Sequence, residues 1–495
     1  MKFFTVDYII VFLYLIAIAA FGIISSGKQK DVKDYFLGSK KVPWWAVCIS
    51  IVATETSTLT FISIPGLAYL TNMNFLQLAF GYLIGRIFVA FVFIPKYYKG
   101  EIETAYQFLG NRFGSPMRKY ASVTFILLRI FADGVRLFIT SIPIKFITGW
   151  SYFECILIVG IVTLIYSYIG GVKAVIWTDV VQMFIYMFAA IISIYIIYQL
   201  IPGNWDYVLQ TASEKGKFEI INLKFSSLKE YFTGQYNLIG GLIGGAFLSM
   251  ASHGTDQLIV QRLLTCEDKK SSQKAVIVSG VIIIIQFFIF LFIGVLLYVL
   301  YNGVDFQKLS IGNYFLYKPD EIFPKFIIEN HPVGIRGIVV AGLLSASMST
   351  LSSAFNSLSA TTVMDLFKKS IGDDSKKQLF YSRLATLFWA VIIIGTSMLF
   401  QDEKNPAVDF ALKIQSIIYG GLLGVFILGI VKKSADLKDA VISYTFTILI
   451  LLLLFVLPQF KVIPALNLTW FTLFGVIICL SIGFVSGLFK VSKSN

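Results

Sequence analysis

Apolar stretches long enough to cross a bilayer recur from one end of the chain to the other, divided by short polar loops. They predict about thirteen membrane spans, near residues 6–26, 43–70, 75–97, 121–148, 152–170, 174–200, 236–264, 274–301, 335–364, 380–400, 407–431, 440–458 and 466–489. Two spans are poorly formed as helices. Span 43–70 contains Ala53-Thr54-Glu55-Thr56-Ser57-Thr58, then Pro65 and Gly66. Span 236–264 contains Gly240, Gly241, Gly244 and Gly245, then Ser249 to Gly254 with His253. Hydroxyls compete for backbone hydrogen bonds, and glycine weakens a helix. Interrupted backbone at membrane depth persists only where protein or a water-filled cavity satisfies it. The two spans lie five apart and cross in opposite directions, as in an inverted repeat with a binding site between its halves. Glycine at ordinary helix crossings explains Gly240 to Gly245 equally well, but not Glu55 or His253.

Ionisable and hydroxyl groups within apolar spans are costly to insert, and their default reading is a site for an ion or polar solute. Asp179 follows Gly170 to Thr178 in one such span, and Ala346-Ser347-Met348-Ser349-Thr350-Leu351-Ser352-Ser353 lies in another. Composition agrees with a membrane protein: 57% hydrophobic, 14% charged, mean hydropathy +0.79. The net charge of +13 does not imply nucleic acid, because the cations gather in loops on one side. Lys28 to Lys41, Lys96 to Lys119, Lys269 to Lys274, Lys368 to Lys377 and Lys432-Lys433 give that side roughly twice the cations of the other, which makes it cytoplasmic. The amino terminus is then outside and the carboxyl terminus inside. Segments 202–235 and 303–334 read as outside loops with short interfacial helices. Cys48, Cys155, Cys266 and Cys479 show no metal-type spacing and read as free thiols. Residues 8–25 read as an uncleaved span, since no small-residue cleavage site follows. No metal-ligand or nucleophile–base motif argues for an enzyme, and the only histidines are His253 and His331.

Seven segments in order now carry a family pattern: Asp34 to Gly38 with Phe61 to Tyr69; Thr104 to Leu109; Arg112-Phe113-Gly114; Gly170 to Gln182; Thr255 to Arg262; Met348 to Ser357; and Gly420 to Gly429. The chain resembles the sodium:solute symporter family over about residues 6–431. The resemblance implies an all-α polytopic protein of the leucine-transporter type, a single transport domain. Its parts would be an extra first helix at 6–26, a first inverted repeat at 43–200, a second at 236–431, and two additional helices at 440–489. It implies a sodium-coupled symporter importing a small polar organic solute by alternating access, in the plasma (bacterial inner) membrane, as a monomeric transport unit with no cofactor besides the coupling ion. The alternative is a membrane-embedded solute sensor without transport.

In an α-helix the carbonyl of residue i points toward residues i+3 and i+4, which sets the Ala346 carbonyl beside the Ser349 and Thr350 hydroxyls. An unwound Ala53–Thr56 segment frees two more carbonyls, and five hard oxygens suit a hard monovalent cation. The resemblance implies the same main sodium site: backbone oxygens of Ala53, Thr56 and Ala346, side chains of Ser349 and Thr350. It also implies a possible second sodium at Asp179, Ser349, Ser352 and Ser353. The competing reading has these hydroxyls only packing helices and bonding back to i−4 carbonyls, with Asp179 orienting the Ser/Thr helix.

For the solute the candidates are Glu55, Ser57, Thr60, Phe75, Arg136, His253 and Gln415. Arg129 and Asp133 precede Arg136 on one helix face, so an internal ion-pair ladder, with Glu55 as counter-ion to Arg136, is the structural alternative. Ile283 falls where hexose-transporting relatives place a sugar-contacting lysine, which argues against a hexose.

Overall fold

The computed structural model describes residues 3–491, except 224–226, 228–231, 235–236, 312–313, 317 and 401–405, and the side chains of 406–413 and 487–491. The expected start of a span at 236 and the terminal residues 492–495 lie outside the described residues.

Among the described residues the chain is all-helical apart from one short hairpin, Ser310–Ile311 with Tyr314–Phe315. The helices that build the membrane body are α1 (Thr5–Ser26), α2 (Trp44–Glu55), α3 (Thr58–Leu70), α4 (Leu76–Phe88), α5 (Ser115–Thr148) and α6 (Tyr152–Leu200). They continue with α7 (Gly245–Gly254), α8 (Gln257–Leu263), α9 (Lys269–Leu300), α10 (Ile335–Ala360), α11 (Ser375–Met398), α12 (Pro406–Val431), α13 (Leu437–Val456) and α14 (Phe471–Val491). Among the described residues nine helices are long and apolar enough to span a bilayer, or ten counting the bent pair α2 and α3. Three further passes escape that criterion for physical reasons. α5 carries Arg129, Asp133 and Arg136 within its apolar run. The pass made by α7 and α8 is interrupted between Gly254 and Gln257. α6 has 49 residues, about 74 Å at helical rise, more than twice a hydrocarbon core. It is non-helical at Gly171 (φ 57, ψ −148), so it makes two passes. Only glycine fits that turn, because a Cβ there would meet the Tyr35 carbonyl at 2.4 Å.

Burial sorts the helices. The apolar window of α10 is 94% buried, against 28% for α1, α11 and α13, so α10 is the central helix and the others face lipid. α4 and α7 meet through small residues: a Cβ on Gly81 would sit 2.4 Å from the Gly241 carbonyl, and one on Gly245 would sit 2.6 Å from that of Leu78. Gly241 and Gly245 are therefore crossing residues, and the functional interruption falls later, after Gly254. All four cysteines are buried free thiols.

Candidate functional site

α2 and α3 meet at 63°. The last helical backbone bond of α2 runs from Thr56 N to Val52 O at 3.0 Å, and Thr56 and Ser57 then adopt extended backbone. An unbroken helix would next bond Ser57 N to Ala53 O; here the chain has already left the helix. Side-chain hydrogen bonds tie the break to neighbouring helices. Thr350 Oγ1 donates to Thr54 O at 3.1 Å and lies 3.3 Å from Ala346 O. Thr58 Oγ1 donates to Leu343 O at 3.1 Å, and Gln286 Nε2 donates to Thr56 Oγ1. Ser349 Oγ is buried without a hydrogen-bond partner. The structure thus brings α10 against the break, with Thr350 bridging the two helices and Ser349 holding an unused oxygen beside it in sequence. The carboxyl end of α2, where helix dipoles place negative potential, points into the same gap. Neutral oxygens, an orphaned hydroxyl and a helix C-terminus suit a small hard cation.

Asp179 lies below, fully buried. Its Oδ2 accepts from Ser50 Oγ at 2.5 Å and from Arg262 Nη2 at 3.2 Å. Arg262 also donates to Ser353 Oγ and, through Nε, to Ser50 Oγ at 2.8 Å. Ser352 and Ser353 bond back to the Ser349 carbonyl at 3.0 and 2.6 Å. Two of the four groups expected to hold a second sodium, Asp179 and Ser353, therefore hold a guanidinium.

Above the break a cavity of about 310 Å³ is walled by both interrupted spans, α5, α10 and α12. Glu55, Ser57, Thr60, Arg136, His253 and Gln415 all line it, together with Thr54, Tyr82, Asp256, Thr350 and Tyr419. Phe75 is not part of that lining; its ring packs on Phe287 at 4.9 Å. Glu55 finds its counter-ion in Arg86, fully buried on α4, and not in Arg136. Arg86 also donates to Ser279 Oγ at 2.7 Å, and His253 Nε2 lies 3.7 Å from Glu55. The ladder on α5 is present: Asp133 Oδ1 lies 3.4 Å from both Arg129 and Arg136. Arg129 is held further by Asp256 at the second break, and Arg136 donates to Gln415 Oε1 at 2.6 Å. Tyr419 ties Asp256 to Gln415. Three carboxylates (Glu55, Asp133, Asp256) thus balance three guanidiniums (Arg86, Arg129, Arg136) around the cavity.

Arg86, Asp256, Tyr419 and Arg262 escaped the sequence reading. Arg86 was detectable: it is a lone charge inside an apolar span, the same signal that marks Asp179. Asp256 and Arg262 stand within a quoted motif, but their partners lie 127 and 83 residues away.

Comparison with known proteins agrees with this architecture. The model of the sodium:solute symporter family matches residues 35–446. The chain is 27% identical to the sodium/sialic acid symporter NanT of Aliivibrio fischeri over 442 residues, 89% of this chain and 85% of that one. It is 28% identical to human sodium-coupled monocarboxylate transporter 1, covering 88% and 71% of the two chains. The sodium/glucose cotransporter of Vibrio parahaemolyticus is 27% identical, covering 92% and 86%. Among solved structures, a substrate-bound, outward-open sodium-coupled sialic acid symporter superposes with a TM-score of 0.87 at 24% identity, covering 98% of each chain. Mhp1, a nucleobase-cation-symport-1 family transporter, gives 0.53 at 13% identity, covering 93% of this chain and 95% of its own. The fold is that of the leucine-transporter type. The chain belongs to the sodium:solute symporter family: it is a multi-pass membrane protein that couples sodium to the transport of a small organic solute, and not an enzyme.

Proposed function

We propose that the chain imports a small polar solute bearing a carboxylate at one end and hydrogen-bond donors at the other, driven by sodium bound at Ala53, Thr56, Ala346, Ser349 and Thr350. The observation that carries this reading is the double duty of Thr350. Its hydroxyl lies on the carbonyls of Thr54 and Ala346, while the same residue lines the solute cavity. An ion that pulls these oxygens together shapes the wall that the solute touches, and coupling must then be reciprocal.

Arg136 is the cation with capacity to spare. A quarter of its side chain is exposed, its close partner Gln415 is neutral, and Asp133 is shared with Arg129. It suits a carboxylate. Glu55 is 20% exposed and presents an acceptor to the opposite part of the solute, with Ser57, Thr60 and His253 nearby in the wall. The balanced charge of the cavity favours a zwitterion or hydroxylated acid over a cation. A volume near 310 Å³ is at the lower end for ligand sites. Relatives named for sialic acid and monocarboxylates support an acidic solute.

The segments 43–200 and 236–431 serve as the two inverted repeats, each opened by an interrupted span, with 6–26 before them and 440–489 after. The loops carrying the cation clusters meet on one side. Lys368 and Lys33 approach Glu103 at 2.6 and 3.9 Å, and Arg112 donates to carbonyls of Gly429, Lys432 and Lys433. That side is the cytoplasm, the amino terminus is outside, the membrane is a bacterial plasma membrane, and one chain is the transport unit.

The test is a thermal-shift screen of purified protein against sialic acids, amino acids, hydroxy acids and neutral sugars, with and without sodium. A stabilising acid that acts only with sodium supports the proposal. Stabilisation by a neutral sugar alone, or by an acid equally well without sodium, refutes it.

A further inference from the structure

The region around Asp179 holds a cation already. Arg262, 2% exposed on α8, reaches into it and touches Ser50 on α2, Asp179 on α6 and Ser353 on α10. Its Nη1 donates to Leu258 O at 2.6 Å, which fixes the side chain against its own helix. Two of the oxygens a second sodium needs here, Asp179 Oδ2 and Ser353 Oγ, are turned toward a guanidinium. A sodium placed beside it would share one buried carboxylate with a full positive charge, and like charges in a dry site repel strongly. Asp179 Oδ1 and Ser349 Oγ are the two oxygens left without hydrogen bonds. Ser349 faces the carboxylate, and the lone pairs of its hydroxyl oxygen remain open to an ion held with Thr350.

We infer that Arg262 is the resident cation of the Asp179 site, that the chain binds a single sodium, and that Asp179 acts on this ion only through Ser349. The inference rests on the Ser349–Thr350 sodium site proposed above. In this arrangement Arg262 supplies permanently the charge that a second sodium would bring. Asp179 is a positioning residue: one oxygen anchors the guanidinium, and the other sets the field in which the Ser349 hydroxyl turns its lone pairs to the ion.

Equilibrium binding of radioactive sodium to the purified full chain, counted per molecule, tests this without knowledge of the solute. The wild type should bind one ion. Asp179→Asn should still bind one, with half-saturation raised about tenfold, as when the partner of a metal ligand is removed. Arg262→Gln should bind two, and the double variant Arg262→Gln/Asp179→Asn should return to one. A wild-type count of two that falls to one in Asp179→Asn overturns the inference. So does a count of one in folded Arg262→Gln, since the arginine would then exclude nothing. A purely structural Asp179 would lower the melting temperature and leave half-saturation unmoved, which also overturns it. If Arg262→Gln does not fold, the wild-type count and the Asp179→Asn half-saturation decide alone. Failure of the first site is distinguishable: Ser349→Ala and Thr350→Ala would then leave the single ion bound as before, whatever Asp179 and Arg262 do.

Discussion

The first break, between Glu55 and Thr58, is surrounded mainly by neutral groups: Thr350 donates to Thr54 O, Thr58 donates to Leu343 O on α10, and the Gln286 amide donates to the Thr56 hydroxyl. The second, between Gly254 and Gln257, is met by charge. Asp256 caps α8 through Leu258 N at 2.8 Å with one oxygen and holds Arg129 and Tyr419 with the other. Thr255 N and Asp256 N both return to Ala251 O, at 3.0 and 3.2 Å, and Tyr97 donates to Gly254 O. The difference is functional. Hydroxyls leave lone pairs over, and one of them, on Ser349, is unused. A carboxylate paired with a buried guanidinium leaves little over, so the second break is locked to α5 and α12. The first break has the oxygens that the proposed sodium site needs, and the second holds helices in register.

The largest test of that contrast is Asp256→Ala. It leaves Arg129, 3% exposed, with only the longer contacts to Asp133 at 3.4 Å and to the Tyr419 hydroxyl at 3.5 Å. Removing one partner of a buried pair costs about 3–5 kcal/mol. Thermal unfolding in detergent should show the loss, and a change below about 1 kcal/mol would mean that the second break is not locked by charge.

Thr350→Ala probes the first break and should separate stability from ion binding. Hydrogen bonds and ligands involving a charge are worth about 1.5–3 kcal/mol, or about ten- to a hundredfold in sodium affinity. The melting temperature without sodium should move little, because Thr54 O and Ala346 O lose one neutral donor. Sodium half-saturation, read from the sodium-dependent shift in melting temperature, should rise steeply. Equal losses with and without sodium would make Thr350 a structural hydroxyl.

The contrast also explains what the sequence could disclose. The oxygen cluster proposed for sodium could be read from the sequence because three of its groups share one helix: the Ala346 carbonyl and the Ser349 and Thr350 hydroxyls are fixed relative to each other by helical geometry. The α2–α3 break was legible from Thr54 to Thr58, and the interruption of α6 from the separate apolar runs at 152–170 and 174–200, with the turn itself at Gly171. The ladder of Arg129, Asp133 and Arg136 follows from offsets of four and three. The charge partners across helices were not legible. Glu55 meets Arg86 because α2 and α4 both pack on α9, and Asp179 meets Arg262 through a fold that joins residues 83 apart. Periodicity says which face a residue occupies, not what stands opposite. Phe75 shows the same limit: an aromatic at the mouth of a span read as cavity lining, whereas its ring packs on Phe287 of α9.

A double-mutant cycle on Glu55→Gln and Arg136→Gln sharpens the comparison further. The two share no contact in the structure, so their effects on stability without solute should add to within about 0.5 kcal/mol. Glu55→Gln alone should destabilise, since Arg86 is fully buried and loses its carboxylate. Arg136→Gln should be mild in the empty protein and cost about 1.5 kcal/mol of solute affinity. Strong coupling in stability would return the pair to a structural role and remove Arg136 from solute recognition.

The smallest expected effect concerns His253, the residue by which the second break reaches the cavity. Its Nδ1 bonds the Ser252 hydroxyl at 2.8 Å, while Nε2 has no hydrogen-bond partner and lies 3.7 Å from Glu55 Oε2. That nitrogen is a polar group of the second break, on a residue of the cavity wall, that no hydrogen bond holds. His253→Phe keeps a ring of similar shape and removes the free nitrogen, so it should lower solute affinity by about 0.5–1.5 kcal/mol, the worth of one neutral hydrogen bond. His253→Gln keeps a donor and an acceptor and should lose less. Both should leave sodium binding without solute unchanged, because no oxygen of the first site touches the ring. If His253→Phe binds solute as the wild type does, the second break contributes only scaffolding, and recognition falls to Glu55, Arg136 and Gln415. If sodium binding falls instead, the division of labour between the two breaks is wrong, because the charged break would then be acting on the ion.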